Sequence, residues 1–285
     1  MMSMLRLMGH NQWNTGSRTA WTEQGFDCSA ETRTRGFIQV FKELAPDVVG
    51  GQEINKEMQL CLMLCAQEQK LPYAMLWGNM TPIIYRADKL EVLATEYLLF
   101  PKTLAGFEGE FNDVDSKSCN VAVFRNKESG NVFIFVTAHL WWRNGSDPTY
   151  YSYQAGSDEA RTEQLRLANG LVDKYLAQYG DVPVVIAGDM NTGTGTPALD
   201  FLEKEAGYIH AHDAATVYAT ELSGYCLCGA KGPATKWLDT PYTVADDHIY
   251  VKNMPEGAVK RFDRYMPEYY LALSDHAPVY IDVEL

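Results

Sequence analysis

The stretch Pro183-Val184-Val185-Ile186-Ala187-Gly188-Asp189-Met190-Asn191 decides the fold of this chain. A short continuous apolar run between turn formers is typical of a strand buried on both faces. Gly188 would let the backbone leave that strand at angles that other residues avoid. Asp189 and Asn191 follow two residues apart, and on an extended backbone their side chains point to the same side. The alternative is an ordinary turn, because Gly, Asp and Asn are common turn residues.

The same pattern, an apolar strand with reactive polar residues at one end, recurs at five other places. A single such residue is usually a solvated strand end or a hydrogen-bonded core residue. Six strand ends of this kind in one chain indicate that the polar groups share a site. The residues at the other five ends are Asn11, Glu53, His139, Asp247 and the neighbours Asp275 and His276.

Length and composition indicate a single folded domain over residues 1–285. A layered domain routinely reaches this length undivided. Hydrophobic residues make up 46% of the chain and aromatic residues 12%, which is ordinary for a globular protein. We find no repeat, low-complexity tract or linker that would divide it.

The charge balance bears on possible partners. The chain has 24 Lys and Arg against 37 Asp and Glu, a formal net charge of −13. This charge would repel a polyanion unless basic residues cluster locally, so we do not expect duplex DNA as a partner. No apolar run is long enough for a membrane span, and nothing implies a protein partner.

The first residues and the cysteines point to a reducing location. Residues 1–11 contain one arginine and no long apolar core, so we expect no secretory signal and a cytoplasmic location. The six cysteines are then expected to be reduced thiols. Cys226 and Cys228 lack a second ligand pair at zinc spacing, so we do not expect zinc there.

Hydrophobic periodicity predicts an alternation of strands and helices. Apolar residues predict helices over residues 31–45, 56–70 and 157–179. Thr196 and Pro197 are expected to be the N-cap and the first residue of a further helix that runs through Glu205. Short apolar runs predict strands over residues 4–8, 47–49, 81–85, 90–94, 121–124, 132–138, 183–187, 249–251 and 279–283. Residues 126–130 are predicted to form a hairpin loop between two of these strands.

The strand-end motifs resemble those of the endonuclease/exonuclease/phosphatase superfamily of metal-dependent phosphoesterases. They follow the family order over nearly the whole chain. The resemblance implies an α+β, four-layer α/β/β/α sandwich, in which two mixed β-sheets pack face to face with helices outside. The motifs are Asn11 after the first strand, Pro46-Asp47-Val48-Val49 leading to Gln52-Glu53, Ala138-His139-Leu140, Gly188-Asp189-Met190-Asn191, Asp247-His248-Ile249 and Ser274-Asp275-His276.

The resemblance also implies a metal ion. A phosphate ester is anionic, so a nucleophile approaches it readily only when a hard divalent cation neutralises charge. We expect Mg²⁺, with Mn²⁺ as a plausible substitute. Glu53 is the expected ligand, helped by Asn11 and by Asp275, because magnesium keeps several waters and needs few protein carboxylates.

The remaining motif residues receive catalytic roles from the resemblance. Asp189 would align or deprotonate the attacking water, and Asn191 would hold that water or a phosphate oxygen. His276 would donate to the phosphate, with its ring oriented by Asp247. His139 would stabilise the developing charge or protonate the leaving oxygen.

An aromatic loop follows His139 and is the expected substrate surface, together with Asn11. Trp141 and Trp142 are predicted to be exposed on it and to contact a base or a sugar ring, as are the tyrosines at 150, 151 and 153. The alternative is that these aromatics plug the loop from inside. Where many relatives have an arginine before the strand that leads to His-Leu, this chain has Lys117, so the substrate contacts of that position are not carried over.

The sequence therefore predicts a magnesium-dependent hydrolase of phosphate esters, a phosphodiesterase or a phosphomonoesterase. In-line attack of a positioned water on a small or single-stranded phosphorylated substrate is the expected reaction. A true nuclease, deadenylase-like or endonucleolytic, is the alternative within enzymes. A non-catalytic binding module on the same fold is the alternative from another class.

Overall fold

The computed structural model describes residues 3–15, 19–229 and 232–285. Within these residues, twelve strands form two six-stranded mixed sheets. The strands are β1 Met4–Asn11, β2 Val48–Gln52, β3 Tyr73–Leu76, β4 Ile83–Arg86, β5 Leu90–Leu99, β6 Ser118–Asn126, β7 Val132–His139, β8 Val184–Asp189, β9 Ile209–His210, β10 Asp247–Lys252, β11 Val259–Arg264 and β12 Val279–Glu284. The first sheet has the order β11-β12-β1-β2-β4-β3, and the second has the order β5-β6-β7-β8-β10-β9.

Six α-helices accompany the sheets in the described part of the chain. They are α1 Thr19–Glu23, α2 Ala30–Leu44, α3 Lys56–Glu68, α4 Ser157–Tyr179, α5 Pro197–Asp200 and α6 Ala211–Ala214. The Ser29 side chain caps α2 by accepting from the backbone N–H of Thr32, and the left-handed Ala45 ends this helix just before Pro46. A π-helical turn, Phe201–Glu205, continues α5.

Apolar side chains separate four layers, which confirms the predicted α/β/β/α sandwich. Between the sheets, Leu7 of β1 belongs to the same buried cluster as Phe135 of β7. On the outer face of the first sheet, Val49 packs in a cluster with residues of α2 and α3. On the outer face of the second sheet, Val136 packs in a cluster with residues of α4.

Most predicted elements are present, with different ends. The strand expected over residues 90–94 continues to Leu99, where it pairs with Ser118 of β6. The helix expected over residues 196–205 divides into α5 and the π-helical turn, and the Thr196 side chain makes no capping hydrogen bond. Strands β3, β9 and β11 were not predicted from the sequence. Strand β9 has only two residues. In β3 and β11 the alternation of buried and part-exposed residues is short and weak.

Strand pairing brings the predicted site residues to neighbouring positions. Strand β8 runs parallel to β7, which pairs Asp189 with His139. It runs antiparallel to β10, which pairs Asp189 with Asp247. Strand β6 lies antiparallel to β7 and pairs Ser118 with His139. The polar strand ends of the second sheet therefore lie side by side.

Gly188 is required for a reason other than the expected one. Its φ does not lie in the left-handed region that favours glycine. A Cβ atom at this position would instead lie 2.1 Å from the carbonyl oxygen of Ala138 in β7. The glycine therefore permits a close approach of two strands directly before Asp189.

Among the residues that the structure describes, no helix is both long enough and apolar enough to cross a membrane.

Candidate active site

The polar strand ends of both sheets converge on one site. Within the described residues, two groups of three side chains each bring one potential ligand atom per residue within 4.8 Å of one another. One group is Glu53, His139 and Asp189, and the other is Asp189, Asp247 and His276. Asp189 belongs to both groups and therefore lies at the centre of the site.

Two hydrogen bonds fix the carboxylate of Asp189. Its Oδ2 accepts from the Asn11 amide nitrogen at 2.8 Å, and its Oδ1 accepts from the backbone N–H of Asn191 at 2.9 Å. Burial raises the pKa of Asp189, while the positive charges of His276 and Lys117 oppose this rise. A buried carboxylate with a raised pKa suits proton acceptance near neutral pH.

Asn191 does not lie on an extended strand, contrary to the expectation that it continues the direction of Asp189. Strand β8 ends at Asp189, and Asn191 adopts a left-handed conformation with a φ of 51°. Its side-chain amide donates to the backbone oxygen of Leu140 at 3.0 Å. Glu53 also has a positive φ, 56°. Such backbone conformations in non-glycine residues are uncommon and concentrate at functional sites.

Glu53 offers a carboxylate to the centre of the site. Its Oε2 accepts from the Asn14 side chain at 2.9 Å and from the Asn14 backbone N–H at 3.3 Å. Asn11, predicted to assist as a metal ligand, donates from its amide nitrogen to Asp189. The Asn11 amide oxygen accepts from the backbone N–H of Trp13 at 2.9 Å.

Lys117 is a site residue to which the sequence assigned no role. Its Nζ lies 2.6 Å from Nε2 of His139, and both side chains are buried. Burial lowers the pKa of Lys117, while the carboxylates of Glu53 and Asp189 raise it. Burial and the charge of Lys117 lower the pKa of His139 well below its usual range. His139 is therefore neutral, and the Lys117 amine lies beside its ring.

Asp247 and His276 form the predicted pair. Nδ1 of His276 lies 2.6 Å from Oδ2 of Asp247, whereas Nε2 of His276 lies 3.9 Å from Oδ1 of Asp275. Burial alone would lower the pKa of His276, but the charges of Asp247 and Asp275 raise it well above its usual range. His276 is therefore a cation whose ring orientation is set by Asp247. Asp275 is in neither potential ligand group of the described residues.

A chain of buried histidines lies behind the site. Nε2 of His248 faces the backbone oxygens of Ala245 at 2.6 Å and Thr192 at 3.0 Å, so this nitrogen must hold a proton. Nδ1 of His248 then accepts from Nε2 of His210 at 3.0 Å. Nδ1 of His210 accepts in turn from the backbone N–H of His212 at 3.2 Å. Every contact in this chain requires neutral rings at His210 and His248.

The prediction that Trp141 is exposed is wrong. Its side chain is 2% exposed and packs against Phe111, because it points into the space between the loop and α4. The Trp141 indole donates to Gln154 at 3.1 Å, and its backbone N–H donates to Gln164 of α4 at 2.9 Å. Trp142 points the other way, is 37% exposed and donates to Asp113 at 3.0 Å.

A cavity of about 710 Å³ opens next to these residues. His276 and Asn191 lie at its catalytic end, and Trp142 lies on its wall. The other aromatic residues lining it are Tyr150, Tyr151 and Tyr225. This volume is within the range of small-molecule sites.

Solved structures that resemble the chain identify its fold. The chain has the DNase I-like fold of the endonuclease/exonuclease/phosphatase superfamily. No family model and no curated protein matches it.

Three solved structures illustrate this likeness. The endonuclease/exonuclease/phosphatase from Bacteroides vulgatus gives a TM-score of 0.70 at 21% identity and covers 99% of each chain. A mannosyl-6-phosphatase from Bacteroides thetaiotaomicron gives a TM-score of 0.65 at 19% identity, over 97% of this chain and 98% of its own. D. rerio TDP2 complexed with a single-strand DNA product gives 0.62 at 18% identity and covers 98% of each chain.

Three residues of the site were not identified from the sequence. Asn14 follows β1 and has no local pattern that marks it as functional. Lys117 precedes β6, and the one signal for it was that many relatives have an arginine at this position. Asp246 lies directly before Asp247 and lines the cavity. The repeated carboxylate at 246 and 247 was the one available signal for it.

Proposed function

We propose that this protein is a magnesium-dependent hydrolase of phosphate esters. The observation that supports this most strongly is the convergence of Glu53, Asp189 and the Asp247–His276 pair at the strand ends of both sheets. A carboxylate pair beside an oriented histidine cation is the arrangement that hydrolysis of an anionic ester requires.

The donor set fits a hard divalent cation. Glu53 and Asp189 offer carboxylate oxygens, the ligand type that such cations prefer, and one oxygen of each lies within 4.8 Å of the other and of a ring nitrogen of His139. Magnesium bound by Glu53 would neutralise charge on the ester and stabilise the charge that develops in the transition state.

The chain's own groups then divide the remaining work. Asp189, held by Asn11 and by the backbone of Asn191, accepts the proton of the attacking water. The His276 cation donates from Nε2 to a phosphate oxygen, and Asp247 keeps its ring in that orientation. The buried amine of Lys117 lies next to His139, on the other side of Asp189.

A turnover assay tests this function. We expect the purified protein to hydrolyse p-nitrophenyl phosphate or bis-p-nitrophenyl phosphate when Mg²⁺ is added. Mn²⁺ should also support this activity, and EDTA should abolish it. Asp189→Asn serves as the inactive control, because it keeps the shape of the side chain and removes the base. Metal-independent turnover would contradict the proposal, and binding of phosphate esters without any turnover would favour the non-catalytic module.

A nuclease remains the second candidate, supported by exposed aromatic side chains at the cavity. Tyr150 and Tyr151 are 48% and 87% exposed, and their ring centroids lie 4.8 Å apart. Exposed aromatic side chains bind bases in single strands, and TDP2 was solved with a single-strand DNA product. Release of nucleotides from a single-stranded oligonucleotide, compared with phosphate release from sugar phosphates, separates the two activities.

A further inference from the structure

Asp246 is a carboxylate in the cavity for which the catalytic mechanism has no use. It lies between Asp247, which orients His276, and the turn of Asn191. Its backbone oxygen accepts from the N–H of Met190 at 2.6 Å, which holds residue 246 against that turn. Its side chain lines the cavity with His276 and accepts no hydrogen bond from the residues that the structure describes. The carboxylate is therefore held in place with its acceptor atoms available to a ligand.

The charges around the cavity limit what that ligand can be. Its described lining contains three cations, Arg143, Arg161 and His276, and two anions, Asp158 and Asp246. Arg161 is bonded to Asp158 and to the backbone oxygens of Trp141 and Arg143, so it braces the aromatic loop. His276 is engaged with Asp247 and directed at the phosphate. Of the three cations in the described lining, only Arg143 has no carboxylate partner among the described residues.

This balance suits a substrate with one phosphate and a neutral remainder. Each further phosphate of a polynucleotide would need its own cation, whereas Asp246 would repel it. A carboxylate binds hydroxyl groups well, because its oxygens accept charge-assisted hydrogen bonds. Aromatic faces such as that of Trp142 pack against the apolar face of a sugar ring.

We propose that Asp246 is a specificity-determining residue that accepts a hydrogen bond from a hydroxyl of the leaving group, and that the substrate class is a phosphorylated sugar. This inference rests on the proposed phosphoester hydrolysis. It assigns the cavity between His276 and Trp142 to a monosaccharide instead of a nucleic-acid strand.

The test compares wild type, Asp246→Asn and Asp246→Ala on three kinds of substrate. They are a panel of hexose and pentose phosphates, the matching monodeoxy sugar phosphates, and p-nitrophenyl phosphate, which has no hydroxyl on its leaving group. For the best sugar phosphate, we expect both variants to have a KM about tenfold or more above that of the wild type. The ratio of kcat/KM for this sugar phosphate to kcat/KM for p-nitrophenyl phosphate should fall by a similar factor in both variants. Asp181→Asn is the matched control, since Asp181 is exposed at the far end of β8.

The deoxy substrates identify the contact itself. In the wild type, kcat/KM should be about tenfold lower for the analogue that lacks the recognised hydroxyl than for the full sugar phosphate. In the Asp246 variants, kcat/KM should differ little between these two substrates, because the contact is already absent. An equal loss on sugar phosphates and on p-nitrophenyl phosphate would overturn the inference, because Asp246 would then act through His276. A thermal melt of each variant checks that the fold is kept.

Failure of this inference and failure of the proposed function give different results. If the wild type hydrolyses oligothymidylate faster than every sugar phosphate, the sugar assignment is wrong and the hydrolase function stands. If the wild type hydrolyses none of these phosphate esters in the presence of Mg²⁺, the hydrolase function itself is wrong.

Discussion

At the scale of single residues, Glu53 has the most directly testable role. We expect Glu53→Gln to weaken Mg²⁺ binding by tenfold or more, on the order of 1 to 2 kcal/mol, because it removes a formal charge from a hard-cation site and leaves the shape almost unchanged. Isothermal titration with Mg²⁺ measures this directly. Glu57→Gln is a matched control, because Glu57 is exposed at the start of α3. Unaltered magnesium affinity in Glu53→Gln would rule out Glu53 as a ligand.

The Asp247–His276 pair makes a second prediction at this scale. Loss of His276 should lower kcat by roughly 10² to 10⁴, by analogy with other positioned acid–base and oxyanion groups. Asp247 acts through the 2.6 Å contact with the same ring. The double variant Asp247→Asn/His276→Ala should therefore be little worse than His276→Ala alone. Steady-state kinetics of the four proteins decides this, and losses that multiply would show that the two residues act independently.

At the scale of structural elements, the loop after β7 has two faces with different roles. Trp141 packs against Phe111 and α4, so Trp141→Ala should destabilise the fold by about 3 kcal/mol or more. Trp142 lines the cavity, so Trp142→Ala should change KM and leave the melting temperature nearly unchanged. Denaturant unfolding and kinetics of both variants measure the contrast. A large loss of stability in Trp142→Ala would place that side chain in the core as well.

The histidine chain that joins β9 to β10 predicts how stability depends on pH. Burial and the nearby charge of Arg264 lower the pKa of His248 to about 4. An unfolded chain binds this proton near pH 6.5, so between those values the unfolded state holds more protons than the folded state. The stabilising contribution of the neutral His248 should therefore be fully present above pH 6.5. The free energy of unfolding should fall by about 3 kcal/mol as the pH drops towards 4.

Urea unfolding at a series of pH values measures this dependence. His248→Gln is the informative variant, because an amide can replace both hydrogen bonds of the ring and does not titrate. We expect a shallower fall in stability for this variant over the same range. An identical slope in both proteins would assign the acid sensitivity to other buried groups.

At the scale of the whole molecule, net charge controls which partners can approach. The chain has a formal charge of −13, and Asp158 and Asp246 offset two of the three cations that line the cavity. We therefore expect the affinity for duplex DNA at physiological salt to be weaker than a Kd of about 10⁻⁴ M, the weak end of non-specific binding. Fluorescence anisotropy with a labelled duplex measures it, and a single strand of the same length is the control. Tighter, strongly salt-dependent duplex binding would reveal a basic surface that the cavity does not contain.

The order of elements and the polar strand ends could be predicted from the sequence alone, because both are local. The apolar run before Asp189 is contiguous, and the helix over Ser157–Tyr179 has its own periodicity. The pairing of His276 with Asp247 was implied by the family resemblance, and the adjacent Asp275 was disfavoured because neighbouring residues on an extended backbone point to opposite faces. The order of elements and the polar strand ends require no knowledge of which strands pair.

The tertiary structure alone decided the features that depend on residues far apart in the chain. Lys117 reaches His139 because β6 and β7 pair antiparallel, and no pattern near Lys117 shows this. Gly188 is needed because Ala138 of the neighbouring strand leaves no space for a side chain. Trp141 is buried because Gln164 of α4 holds its backbone. In each case the contact is made by strand pairing or packing across tens of residues, and a local sequence pattern holds no information about such a partner.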